Sequence, residues 1–140
     1  MDNLGLLFLL IAVLLVAIVG VVFLSLAMKR SPELDRGRYQ AHWLEIEHSV
    51  KQDNPASWQL AIMNADKLLD QALRERRFSG KTMGERMKAA QSTWHNANHV
   101  WSAHKIRNQL AHETDSRVTH DVTLRALAAY RQGLKDLGAI

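Results

Sequence analysis

The chain has 140 residues, no cysteine and a formal net charge of +4. Such a length holds one domain and not two, and the lack of cysteine excludes disulfide staples and thiolate metal centres while fitting a reducing compartment. The small positive balance is compatible with nucleic acid or an anionic lipid surface and requires neither.

Asp2 is followed by an uncharged run, Leu4 to Met28, in which Ser25 is the only polar side chain. A helix of that length measures roughly 37 Å and crosses a hydrocarbon core of about 30 Å with some tilt. Backbone groups in lipid must bond internally, so the run predicts a transmembrane helix, with residues 1–30 as the membrane anchor and its basic flank. Ser25-Leu26-Ala27 has the small-x-small form of a signal-peptide cleavage site. Against cleavage, no Lys or Arg precedes the run, and the run exceeds an ordinary signal core. Lys29, Arg30, Arg36 and Arg38 all follow it. The positive-inside rule then predicts a single-pass protein of the cell membrane, with the N-terminus outside and the C-terminal domain cytoplasmic.

Residues 31–140 predict a helical domain. Ser31-Pro32-Glu33 has the form of a helix start, and Tyr39, Trp43, Ile46 and Val50 follow as an apolar stripe. Asn54-Pro55 opens a second helix, running to about Arg77, with Trp58, Ala61, Ile62, Ala65, Leu68, Leu69, Ala72 and Leu73 as its buried face. Ser79-Gly80 ends it. Thr82 and Glu85 have capping-box spacing and start a short helix with Met83, Met87 and Ala90 inward. The polar stretch from Gln91 to Asn98, with Trp94 in it, reads as a loop. The next helix, about Asn98 to Glu113, is apolar on two sides: Ala103, Ile106 and Leu110 on one, Val100, Trp101 and Ala111 on the other. A helix wetted so little is expected at the centre. A polar turn from Thr114 leads to Thr119, the N-cap of a last helix reaching about Leu137. Its faces are Val122, Ala126 and Ala129, and Leu124, Leu127, Tyr130 and Leu134. Strand-like alternation is absent. The expected fold class is all-α: an N-terminal transmembrane helix followed by an antiparallel bundle of four main helices and a short one.

The penultimate helix carries polar groups that packing does not call for. His104, Asn108 and His112 recur every four residues along one line, with Arg107 beside it. Together they span about 140° of arc. Arginine presents a planar fork of donors that fits phosphate oxygens, and histidine exchanges a proton near neutral pH. Asparagine holds an oxygen or fixes an imidazole tautomer. Such a set can orient an RNA 2′-hydroxyl, take its proton and neutralise charge on phosphorus, with no metal or other cofactor. The chemistry depends on the 2′-hydroxyl, so RNA and not DNA is the expected nucleic acid. The structural alternative is a buried network in which Arg107 pairs with Glu113, Asp115 or a carboxylate elsewhere.

Further polar features allow two readings each. Arg74, Arg76, Arg77, Lys81, Arg86 and Lys88 form a basic stretch, either a solvated helix end or an electrostatic footprint. In the second reading Arg77 and Lys81, with His104, are substrate contacts. His95 and His99 have a zinc-compatible spacing, but no HExxH and no cysteine accompany them, so no metal site is expected. Trp43, Trp58 and Trp101 lie on apolar stripes and read as core rather than as base-stacking platforms; Trp94 does not.

Arg107-Asn108-Gln109-Leu110-Ala111-His112 is an arginine, four residues, then a histidine, with a polar residue directly after the arginine. It resembles the signature of HEPN domains, small helical bundles that include metal-independent ribonucleases and nucleotide-binding modules. The resemblance covers about Pro32 to Leu137 in helix count and order, and only the six-residue motif is specific. It implies that Arg107 and His112 are the catalytic pair, that Asn108 assists, and that two copies form one composite cleft in a homodimer. The chain departs from toxin-like members in carrying a membrane anchor. A different class competes with this reading: a membrane-tethered helical scaffold that docks a partner without catalysis.

Overall fold

The computed structural model describes residues 3–28, 31–113 and 117–140. Lys29, Arg30 and Asp115, used above for topology and for the pairing of Arg107, lie outside the described residues, as does the start of the turn at Thr114. The chain divides into two compact units, 1–31 and 32–140, each taken here by itself.

The first unit is helix α1 (Asn3–Met28). Its stretch Leu4–Ser25 is exposed throughout and is long and apolar enough to cross a membrane; a signal sequence has the same character. Ser25 Oγ donates to the Val21 carbonyl at 2.8 Å, so the lone hydroxyl of the stretch is satisfied within the helix.

The second unit is the predicted helical bundle, built from α2 (Arg36–Ser49), α3 (Pro55–Glu75), the short α4 (Met83–Ala89), α5 (Ala97–His112) and α6 (His120–Asp136). No strand occurs among the described residues. Three of the sequence-predicted starts hold as written: Asn54 caps α3 ahead of Pro55, Thr82 and Glu85 form a reciprocal capping box on α4, and Thr119 caps α6. The first start does not. Residues 31–35 are not helical, and Asp35, in extended backbone, caps α2 in place of Ser31 by accepting from the Arg38 amide. This entry lets Leu34 reach the core, while the Pro32 carbonyl is taken by Arg76 Nη1 at 3.1 Å. Burying Leu34 outweighs one more turn of helix.

Consecutive long helices run antiparallel. Arg38 at the start of α2 holds Glu75 at the end of α3, and the His95 amide just ahead of α5 meets Asp136 at the end of α6. Helices α3 and α6 run side by side in the same direction, from the Trp58–His120 ring contact to Asp66 and Tyr130 and on to Leu69 beside Gly133. The central helix is α3, which packs on α2, α4, α5 and α6; the centrality expected for α5 is corrected. The reason lies in side-chain size on the buried face. Ala61, Ala65 and Ala72 bring neighbours close to α3, and Ile62, Leu69 and Leu73 fill what remains, all of them fully buried. On α5, Ala111 points to solvent, as Leu124 does on α6.

Trp94 also corrects the sequence reading. Although it sits between α4 and α5, it is buried, with Nε1 donating to the Met87 carbonyl at 3.0 Å. Gly133 on α6 lies beside it: a Cβ there would be in ordinary contact with the Trp94 ring at 3.6 Å and tight against Leu69 Cδ1 at 3.3 Å. Trp58 moves the other way and is only partly buried, its ring tilted against that of His120 and its Nε1 donating to the Lys51 carbonyl.

Candidate functional site

The α3 stripe Ile62, Asp66, Leu69 and Leu73 follows helical spacing and is apolar except for Asp66. A carboxylate in that position requires partners. Its Oδ1 accepts from His104 Nδ1 at 2.8 Å and from Tyr130 Oη at 2.9 Å, while Oδ2 faces Arg107 Nε at 3.2 Å. The last is an ion pair without hydrogen-bond alignment, and the buried Arg107 Nε–H has no acceptor. Three helices therefore converge on one buried group. The Tyr130 phenol is pushed well above its ordinary range, first by burial and then by the Asp66 charge, so it stays protonated and donates. Carboxylate oxygens only accept, so in the neutral imidazole the His104 proton sits on Nδ1 and the lone pair on Nε2.

Above this group lies an open cleft of about 800 Å³ between α3, α4 and α5. His104, Arg107 and Asn108 line one wall, and Arg107 Nη1 donates to Asn108 Oδ1 at 3.1 Å. The opposite wall depends on the turn after α3. That helix ends with Arg77 in left-handed backbone (φ 61°); the Phe78 amide returns to the Leu73 carbonyl and the Arg77 amide to Arg74. Gly80 follows at φ 149°, where a Cβ would lie 2.7 Å from the Arg86 nitrogen, so only glycine lets the turn pass the first turn of α4. Arg86 then closes the loop. It is buried, pairs with Asp70 on α3 through Nε at 2.8 Å and Nη2 at 2.6 Å, and donates from Nη1 to the Gly80 carbonyl at 2.8 Å.

Six cationic side chains line the cleft, Lys67, Arg74, Lys81, Arg86, Lys105 and Arg107, against two carboxylates, Asp66 and Asp70. This excess equals the net charge of the whole chain, +4. Arg74 and Arg86 share Asp70, and Arg107 faces Asp66. Lys67, Lys81 and Lys105 are exposed and make no ion pair with any described residue. Trp101 adds an aromatic edge, in T-shaped contact with His104. Among the described residues no group of three His, Cys, Asp or Glu is placed to hold a metal. A second groove, about 450 Å³ between α5 and α6, is lined by four alanines with Ile106 and Val122, and His99, Ser102 and Arg125 are its polar residues.

Of the residues singled out from sequence, the structure brings His104, Arg107, Asn108 and Lys81 to this one cleft. It does not bring His112, exposed at the last position of α5, nor Arg77, exposed in its turn. Sequence reasoning missed Asp66, Tyr130, Lys67 and Lys105. For Asp66 the signal was present: a single acid on the most regular apolar stripe of the chain. For Tyr130 there was none, because a tyrosine on an apolar face reads as core. No family model matches the chain, and no curated protein or solved structure does.

Proposed function

We propose that the chain is a single-pass membrane protein whose helical domain is a HEPN-like module directed at RNA. The cleft between α3, α4 and α5 holds phosphates, and the strand is cut there without a metal; the same cleft suits a nucleotide. The observation that carries this reading is the charge of the cleft, which three unpaired lysines line together with Arg107. Phosphate oxygens supply the counter-charge that the lysines lack. The motif arginine and its polar neighbour lie in the cleft, which supports the resemblance for Arg107 and Asn108.

The test uses the full chain in detergent micelles with labelled single-stranded RNA in EDTA. Wild type is expected to bind and cut, since a 2′-hydroxyl mechanism survives chelation. The Lys81→Glu, Lys105→Glu double variant is expected to lower affinity at least about tenfold and to reduce the slope of log affinity against log salt by about two. Unchanged binding in the double variant, or a folded wild type that takes neither RNA nor nucleotide, overturns the assignment of the cleft.

In the membrane reading, α1 is retained as an anchor and the domain faces the cytoplasm. That orientation is supported by the four basic residues that follow the apolar run and the absence of any before it. C-terminal reporter fusions check it. A cytosolic reporter should be active, and alkaline phosphatase activity at that end would reverse the topology.

A further inference from the structure

We infer that His104, rather than the motif histidine His112, is the proton acceptor of the cleft. The inference rests on the RNA reading above and deepens it. His104 is held by the buried Asp66 carboxylate through Nδ1 at 2.8 Å, which fixes the ring and leaves Nε2 as the free base on the side of the imidazole away from Asp66. A carboxylate behind one ring nitrogen is the arrangement that prepares a histidine to take a proton with the other. The side chain is 11% exposed, and His104 lines the cleft. Arg107 faces the same carboxylate from one turn further along α5, which sets the phosphate-binding guanidinium beside the base. His112 lies eight residues along the same helix, roughly 12 Å away at 1.5 Å per residue. It is exposed and outside the cleft, and it makes no hydrogen bond or ion pair with any described residue that would fix its ring.

The step balances as an internal transfer. His104 Nε2 takes the proton of an RNA 2′-hydroxyl, and the 2′-oxygen forms a bond to the adjacent phosphorus. The bond from phosphorus to the 5′-oxygen breaks, and that oxygen leaves with the electron pair and takes a proton from water. The hydroxide so formed recovers the proton from His104. The products are a 2′,3′-cyclic phosphate and a 5′-hydroxyl end, with no oxidant, reductant or metal. Arg107 and the three free lysines neutralise charge on the phosphate oxygens.

The decisive variant is His104→Asn, because the amide nitrogen of asparagine stands where Nδ1 stands and keeps the donor to Asp66, while Nε2 is lost. In the full chain in micelles it is expected to bind RNA as wild type does and to cut at least about 100-fold more slowly. His112→Asn is expected to cut at the wild-type rate. Tyr130→Phe removes a different donor from Asp66 without touching the imidazole, and it too should still cut and yield the cyclic phosphate. Loss of cutting in His112→Asn with activity kept in His104→Asn overturns the inference and leaves the RNA reading standing. Equal losses in His104→Asn and Tyr130→Phe overturn it by showing that the network only keeps the shape of the cleft. A wild type that binds RNA without cutting it overturns the inference and the cleavage part of the function together, but not the binding part.

Discussion

Replacing Asp66 with alanine is expected to lower the unfolding free energy by about 3–5 kcal/mol, the range for removing one partner of a buried ion pair. The loss does not come from Asp66 itself, which is costly to bury, but from the groups left behind. His104 and Tyr130 each lose an acceptor at under 3 Å, and Arg107 loses its counter-charge. Tyr130 is fully buried, so no water replaces the lost partner without a rearrangement of α6. Chemical unfolding of the full chain in micelles, followed by tryptophan fluorescence, measures the effect. A loss below about 1 kcal/mol would mean that water enters the site freely and that Asp66 does not organise it. Asp66→Asn keeps the shape and one acceptor oxygen and should lie between alanine and wild type.

Truncating Leu69 to alanine is expected to cost about 2–5 kcal/mol. Leu69 is fully buried between α3 and α6, and both its methyl groups pack against the gap left by Gly133. Asp66–Tyr130 ties the two helices one turn before that point, and α6 ends in a Schellman turn at Gly138, where the Ala139 amide returns to the Leu134 carbonyl at 2.8 Å. The walls are therefore slow to collapse, and the cavity term stays near its full value. Trp58→Ala, by contrast, should cost less than Leu69→Ala despite the larger side chain removed, because Trp58 is only partly buried at the start of α3. The same denaturation series ranks them, and a larger loss for Trp58 would show that its contact with His120 carries the α3–α6 packing.

The fold was largely legible because local signals and apolar spacing agreed. Asn54-Pro55, the Thr82 and Glu85 pair and Thr119 each place a helix start through a side chain bonding its own backbone, which needs no tertiary information. Where a long-range contact decided the outcome, sequence reasoning failed. Ser31-Pro32 has the local form of a start, yet the pull of Leu34 into the core moves the start to Arg36. Trp94 lies in a polar stretch, yet it is buried against α6 beside Gly133, 39 positions later. The site shows the same division. The line of polar residues on α5 was visible as a pattern, but which histidine is held in place depends on Asp66, 38 positions before His104 and on another helix.

One wall of the cleft is built unlike the others. Helix α4 has seven residues, too few to be stable alone, whereas α3 behind it has 21. Its attachment is concentrated in Met87, the capping box and the buried Arg86, whose partners Asp70 and the Gly80 carbonyl lie on α3 and in the turn. Met87 and Ala90 are themselves core residues, and the Met87 carbonyl accepts from Trp94 Nε1, so apolar burial holds the segment together with that guanidinium. A helix this short has few backbone bonds of its own, so amide exchange in α4 is expected to be faster than in the middle of α3. A phosphate chain bridging Lys81 on this segment to Lys105 on α5 would tie the two together, so that occupancy of the cleft and the ordering of α4 become two readings of one equilibrium.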